Sequence, residues 1–502
     1  MVTPQGPSCP DTQGTPDPRI KHLIVLMLEN RSFDHMLGYS GIPGVDGPDA
    51  TDTNLDKHGK AWSTSPEAAQ SGLTDPGHDF DDVCKQLYRT YGDDRKCPPE
   101  EMTNKTPNMQ GFIWSYSDYV SSSADEGPQE IMKCFSAGDL PVLTTLASEY
   151  AVCNRWFSSI PGPTLPNRLF AHAGTSKGRL DLSAEEFNTT PTIYEVLDDD
   201  DVASTIYADG WTAAATFWEL MKHQDQFFGT LDDFYQDCYD DNLPSYCFLE
   251  PRYSPGMVNG TFRPQNDQHP DSDIAEGEHL IFSVYQAIRS NRSVWNSSML
   301  VIVYDEHGGL YDHVPPPSAL TPRPEDVATD TPKFNFDRYG VRVPAVIVSA
   351  YTCHKVCNDV FDHTSLIATA RHLFTGHTDD RLGLRAKCAK TFDTPLILHL
   401  DKPRTDHVHI SPPKRQVQPA RPYCLNHLQI SHLKQAILLD ETALKPKGLY
   451  VRGQLPKFSG LKQDDDDSKY CKLDPVETER YIQNVLTNAR ALGPNLKITK
   501  LE

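Results

Sequence analysis

Several short groups of residues in this 502-residue chain carry side chains that could do chemistry together. Glu29 and Asn30 set a carboxylate beside a carboxamide, and such oxygen donors suit a hard divalent cation. Asp305 and Glu306 offer a second pair of carboxylates, followed closely by His307, Gly308 and Gly309. Thr164 follows Pro161, Gly162 and Pro163, which force a tight, non-helical turn. A hydroxyl held there, just before a helix, is placed for nucleophilic attack, and the unpaired N–H groups of the helix start favour an anion such as a phosphate. Arg168 adds a planar cation that fits phosphate oxygens in a fork. His78, His269, His307, His313 and His363 fall in loops beside strand or helix ends. Each group also has a plainer reading: Asn30 and Asp34, or Thr164, as helix caps, and each histidine as a structural side chain.

The elements around these residues give them a common location. Leu23 to Leu28 is an unbroken apolar run that stops at Glu29. It reads as a parallel strand buried on both faces, which loses the polar alternation. Met299 to Tyr304 is a second such strand and stops at Asp305. In open α/β sheets ligands bind outside the carboxyl ends of the strands, so the two carboxylate pairs can face one another at one sheet edge, as metal-assisted phosphoryl transfer requires. Val341 to Ser349 is a third buried strand, leading through Cys353 and Cys357 to His363 at the start of a helix. Leu140 to Tyr150 and Ile281 to Ile288 show helical spacing, and Ser204 to Ala208 reads as a short strand before an irregular, aromatic-rich stretch to about Asn266.

Residues 40–127 are loop-rich and contain His78. From about Pro395 the chain turns proline-rich and basic, which reads as a linker or strap. Ile430, Leu433 and Ile437 then mark a helical face expected to dock on the main body, Asp464 to Asp467 an acidic solvated loop, and Val476 to Leu492 a last amphipathic helix. The expected division is a tail over 1–19, a main domain over 20–398 and a linker with helices over 399–502.

A hydrophobic content of 38% with 23% charged residues is that of an ordinary globular protein. The net charge of −22 argues against a nucleic-acid-binding surface. No apolar stretch approaches the roughly 18–20 residues of a membrane span. The N-terminal residues lack the apolar core of a secretory signal, which leaves an intracellular protein or a mature form. Twelve cysteines, with Cys238 near Cys247 and Cys353 near Cys357, suggest several disulfides and an oxidising compartment. Sequons at Asn104, Asn188, Asn259, Asn291 and Asn296 point the same way, to a secreted glycoprotein.

Taken together, ENRSFDH at 29–35, GPTLPNR at 162–168, YDEHGGLYDHVPPP at 304–317 and DHTS at 362–365 resemble, in order, the phosphoesterase family of phospholipases C and acid phosphatases. The resemblance spans roughly Lys21 to Leu398, and Leu425 to Leu439 is loosely similar to the C-terminal helix of plant-type non-specific phospholipases C. It implies an alkaline-phosphatase-like α/β fold, with a mostly parallel sheet flanked by helices and a small helical C-terminal appendage. It also implies that Glu29, Asn30, Asp305, Glu306 and Thr164 hold a divalent metal (Ca, Mg, Mn or Zn), that Thr164 is the nucleophile, and that His78, His269, His313 and His363 line the site. Threonine at this position tilts the expectation towards a phospholipase C acting on phospholipid at a membrane or micelle surface. The alternatives are an acid phosphatase with the same core and a non-catalytic binding protein on the same scaffold. One departure from the family pattern is Asn154, where aspartate is more usual.

Overall fold

The computed structural model describes residues 14–90, 93, 102, 105–120, 127–182, 188–258, 261–326, 334–376, 380–413, 425–452, and most of 455–497. The apolar run at the start becomes strand β1 (His22–Leu28), and every side chain from Leu23 to Leu28 is fully buried. Full burial of such side chains is worth about 1.5–3 kcal/mol each, which fixes this run in the middle of the sheet. The other strands of that sheet are β2 (Ala151–Cys153), β3 (Ser204–Tyr207), β4 (Phe228–Gly229), β5 (Tyr246–Leu249), β6 (Ser298–Tyr304), β7 (Ala345–Ser349) and β8 (Lys355–Cys357). Their spatial order is β8-β2-β7-β6-β1-β5-β3-β4.

β1 pairs in parallel with β6 on one side and β5 on the other, with Leu28 beside Tyr304. All other neighbours are parallel as well, except that β7 runs antiparallel to both β6 and β2. The mainly parallel α/β sheet flanked by helices is the architecture the family motifs imply. Two differences from the sequence reading stand out. The run from Val341 forms a strand only from Ala345, and it is reversed, so its start rather than its end lies at the edge where β1 and β6 finish. The stretch read as irregular contains β5, which is only four residues long yet sits beside the central strand.

Helices α1 (Pro141–Glu149), α2 (Thr164–Ala173), α3 (Ile274–Ser290) and α4 (Thr364–Phe374) cover the sheet, with α1 packed on α3 and α2 on α4. Toward the C-terminus come α5 (His427–Leu439) and α6 (Pro475–Leu492). They share an apolar cluster that also takes in Trp211, Ala215 and Met221 of the main body. α5 is buried nearly all round, beyond the single face expected, because polar side chains also find partners there: Gln435 accepts from Trp211 Nε1 at 2.7 Å and Ser431 donates to the Leu182 carbonyl at 2.9 Å. Of the acidic run, Asp467 pairs with Lys434; Asp464 and Asp466 lie outside the described residues. No helix among the described residues is long and apolar enough to cross a membrane.

Cys238, Cys247, Cys353 and Cys357 are free thiols, as are Cys134 and Cys153, so neither of the close pairs is bridged. Cys84 and Cys388 each take part in a disulfide, and are not thereby joined to one another.

Candidate active site

β1 ends by turning sharply. Asn30 has φ +54°, a left-handed conformation uncommon for a residue with a side chain. Its N–H donates to Asp305 Oδ1 at 3.0 Å, which ties the end of β1 to the end of β6. The turn leaves Glu29 fully buried with neither carboxylate oxygen hydrogen-bonded. Burial and the nearby Asp305 push its carboxyl well above the usual range, against the pull of Arg168.

Thr164 is the first residue of α2, and its hydroxyl caps nothing. It donates instead to Asn30 Oδ1 at 3.0 Å. Asn30 and Asp34 likewise make no cap on the short π-helical turn Asp34–Gly38. The turn before Thr164 is clamped by Asn167. Its Oδ1 accepts from Ile160 N at 3.0 Å, and its Nδ2 donates to the carbonyls of Gly162 at 2.9 Å and Pro163 at 3.0 Å. A side chain one turn into the helix thus sets the loop that carries Thr164.

Beyond β6 the chain folds back over Asn30. Gly308 and Gly309 have φ +63° and +69°. A Cβ on Gly308 would lie 2.2 Å from the Asn30 carbonyl oxygen, and one on Gly309 would lie 2.6 Å from that of Gly77. The double glycine therefore lets this loop pack against both the Asn30 turn and the His78 loop. Glu306 accepts from Gly308 N at 2.7 Å with Oε2 and faces His78 Nδ1 at 3.1 Å with Oε1. Burial opposes the charge on each, but each favours the ionised form of the other, so His78 is raised and Glu306 lowered. His307 is held at Nε2 by Gln86 Oε1 at 2.8 Å.

Arg168 is placed differently from a phosphate-binding fork. It is buried behind Asp305, with Nε donating to Asp305 Oδ2 at 3.0 Å, Nη1 to Glu250 Oε2 at 2.5 Å and Nη2 to the Leu28 carbonyl at 3.1 Å. Its donors are spent on protein oxygens, so it braces a carboxylate of the site. Glu250 follows β5 as Glu29 follows β1. Thr212 donates to Glu250 Oε1 at 3.0 Å, and Tyr253, whose ring lies 5.2 Å from the guanidinium, donates to Oε2 beside Arg168.

The remaining histidines divide. His269 is buried, with Nδ1 2.7 Å from Asp271 Oδ1 and its ring set edge-on 6.3 Å from that of His78. Burial opposes its charge, but Asp75 and Asp271 outweigh it and raise its pKa well above the usual value. His363 takes a hydrogen bond from Trp156 Nε1 at Nδ1 and donates from Nε2 to the Asp305 carbonyl at 2.5 Å. Burial lowers it to about 4, so it is neutral and pins the Asp305 backbone. His313 belongs to another cluster. Its Nδ1 lies 2.7 Å from Asp34 Oδ2, and the group also contains Asp312. Arg342, just ahead of the reversed strand β7, sits among them with Nη2 2.7 Å from Asp34 and Nε 3.1 Å from Asp312.

Two groups could thus attract a cation. In the Asp34–Asp312–His313 cluster the guanidinium of Arg342 already supplies the counter-charge. Around Glu29, both carboxylate oxygens of Glu29 are buried without a hydrogen-bond partner, while Oε1 of Glu306 is paired with His78. A buried carboxylate left in that state is costly, and the oxygens of Glu29 beside the Asn30 amide are donors of the kind a hard divalent ion takes; among the described acids, cysteines and histidines it is Asp34, Asp312 and His313 that bring three ligand atoms within 4.8 Å of one another. Asn154, the departure from the family pattern, donates to Gly44 O and Asn358 Oδ1 and accepts from Asp46 N. An ionised aspartate could accept there but not donate.

Sequence reading missed Glu250, Asp271, Asn167, Gln86 and Arg342. For Glu250 a signal existed: the apolar YCFL run ends in a carboxylate, the same pattern that singles out Glu29.

A model of the phosphoesterase family matches residues 20–375. Non-specific phospholipase C3 of Arabidopsis thaliana is 33% identical over 413 residues, 77% of this chain and 75% of that protein. Non-specific phospholipase C6 of the same plant is 33% identical over 443 residues, 84% of this chain and 81% of that protein. A solved alkaline phosphatase superfamily protein from Vibrio parahaemolyticus shares 11% identity over 49% of this chain and 61% of its own, with a TM-score of 0.29.

Proposed function

Because the chain belongs to the phosphoesterase family and is a hydrolase acting on phosphoester bonds, we propose that it is a phospholipase C-type diesterase, cleaving glycerophospholipids to diacylglycerol and a phosphorylated head group. The observation that carries this reading is the Thr164 hydroxyl, held at a helix start 3.0 Å from Asn30 Oδ1 among buried oxygen donors.

In this reading Glu29, Asn30, Asp305, Glu306 and Thr164 hold a divalent ion (Ca, Mg, Mn or Zn), which when bound neutralises the diester charge and favours the ionised hydroxyl. Thr164 Oγ1, its proton released to solvent, attacks phosphorus in line. A new Oγ1–P bond forms, and the P–O bond to diacylglycerol breaks. The N–H groups at the start of α2 receive the phosphoryl oxygens. His269, oriented by Asp271, protonates the leaving alcohol; it suits the role better than His363, whose Nε2 is engaged by the Asp305 backbone. His78 stays paired with Glu306. Arg168 and Glu250 hold Asp305 in place. Water then attacks phosphorus and gives its proton to His269, left neutral by the first step; the Oγ1–P bond breaks, the phosphorylated head group leaves, and Thr164 Oγ1 regains a proton from solvent. His313 lies outside this set and, with Arg342, fixes the Asp34 turn. The similarity to phospholipases and the disulfide-bonded Cys84 and Cys388 favour a secreted or extracytoplasmic enzyme.

The test is hydrolysis of phosphatidylcholine micelles with and without divalent ion, with product analysis, by the wild type and Thr164→Ala. Diacylglycerol and phosphocholine, lost in the variant, are the expected result. Release of phosphate from a simple monoester with no diester turnover would assign an acid phosphatase instead.

A further inference from the structure

The chain between Glu250 and His269 leaves the site edge of the sheet and returns to it. Its excursion is a two-stranded hairpin, Gly256–Val258 paired with Thr261–Arg263. Met257 and Phe262 are register partners on this hairpin, and both are more than half exposed, at 59% and 57%. Thr261 and Arg263 are exposed too. A cross-strand pair of large apolar side chains turned to solvent contributes nothing to the core. Its cost is avoided where a partner covers it.

The sequence around the pair narrows what that partner is. From Pro251 to Asn266 there is no carboxylate, in a chain that carries 69 of them and a net charge of −22. Arg252 is paired with Asp209 at 2.7 Å, which leaves Arg263 as the hairpin's own charge. The hairpin's own residues thus carry one cation and no carboxylate, while Asp209, Asp232 and Glu276 line the cavity beside Phe262 and Arg263. An apolar pair flanked by arginine suits a surface of phosphate head groups over hydrocarbon. The rest of the molecule, being acidic, is repelled by anionic surfaces, so attachment rests on apolar insertion and a zwitterionic bilayer is the favoured partner.

We propose that the Gly256–Arg263 hairpin is the segment by which this protein docks on a phospholipid surface, inserting Met257 and Phe262. This rests on the phospholipase reading, which requires the enzyme to draw its substrate from an interface.

The experiment uses the full chain with phosphatidylcholine vesicles. Binding is measured by vesicle sedimentation in the Thr164→Ala background, so that lipid is not consumed, with and without Met257→Ser and Phe262→Ser together. Hydrolysis is measured in the otherwise wild-type enzyme with the same pair of substitutions. The expected result is a loss of vesicle binding of about tenfold or more, with a parallel loss of vesicle hydrolysis. Turnover of a monomeric short-chain phosphodiester should stay within about twofold, since neither residue belongs to the catalytic set. Phe262→Trp should shift to shorter emission wavelength on adding vesicles, a readout that does not depend on activity.

Unchanged vesicle binding in the double variant would overturn the proposal while leaving the diesterase reading intact. Hairpin-dependent binding without any diester hydrolysis would uphold the docking surface and overturn the diesterase reading. A dimer dispersed by the same substitutions would show that a second copy covers the pair, and would overturn the proposal. So would a glycan on Asn259, whose sequon lies between Met257 and Phe262 and whose sugar would hold the hairpin away from hydrocarbon.

Discussion

The Thr164 hydroxyl donates to the side-chain oxygen of Asn30 across 3.0 Å, although 134 positions separate them in the chain. This is the hydroxyl's hydrogen bond in the fold, and it caps no helix. Thr164→Ala should therefore abolish diester turnover while shifting thermal stability by about 1 kcal/mol or less, the worth of one ordinary hydrogen bond. Turnover assays beside thermal melts check this. Near-normal activity in a folded variant would refute the assignment of Thr164 as nucleophile.

Much of this was legible because strand ends are loud signals. Leu23 to Leu28 and Met299 to Tyr304 are long enough to be read as buried strands, and each ends in the carboxylates that meet at the sheet edge. Thr164 was legible through its Pro-Gly-Pro turn. Arg168 was misread because its residue type suits a phosphate fork, and only tertiary packing shows that Asp305 and Glu250 consume its donors. Glu250 escaped notice because β5 is four residues long. The reversal of β7 was invisible for another reason: a fully buried strand carries no mark of its direction.

Binding of a divalent ion should raise thermal stability, because it gives partners to the oxygens of Glu29, which accept no hydrogen bond within the protein. At a thousandfold excess over Kd the gain is about 4 kcal/mol. Melts of chelator-treated protein with ion added back measure it. Glu29→Gln should lose most of the response, and an equal response in that variant would place the ion elsewhere.

Gly308→Ala should disrupt the site without touching a reacting group. The added methyl would meet the Asn30 carbonyl at 2.2 Å, and φ of +63° is itself unfavourable for alanine. A cost of about 1–3 kcal/mol is expected, with a large loss of turnover as Asn30 is displaced. A variant with wild-type melting and activity would show that the loop yields freely.

Arg168→Met should cost about 3–5 kcal/mol, since it strands Glu250 and Asp305 as buried charges. Urea unfolding reads the change directly. In the double variant Arg168→Met with Glu250→Gln the loss should be smaller than the two single losses added, because each charge is costly mainly without the other. Simple additivity would argue that the pair is not coupled.

Acid should loosen the C-terminal helices. His432 on α5 lies against the Tyr253 ring at 5.3 Å, and burial lowers its pKa to about 3, with Arg168 adding to the effect and Glu250 opposing it. In the unfolded chain the value is near 6.5, so above that pH the group is neutral in both states and its contribution is complete. As pH falls from about 6.5 towards 3, the unfolded state takes up a proton that the folded state refuses, and stability drops by about 1.4 kcal/mol per pH unit from this group. His432→Phe should flatten that part of the profile. Parallel urea titrations at pH 7.5 and pH 5 compare the two proteins, and equal slopes would count against the assignment.

The place of β1 in the sheet also bears on biosynthesis. Its neighbours on both sides are encoded far downstream, beginning at Tyr246 and Ser298. On a ribosome adding about 5–20 residues per second, the oily segment Leu23–Leu28 waits for about 10–45 s before its first lateral partner exists. Such a nascent chain cannot condense from its N-terminus onward. Its high contact order makes folding slow, and the interval exposes an adhesive segment that chaperones must shield if the protein is to be made in good yield.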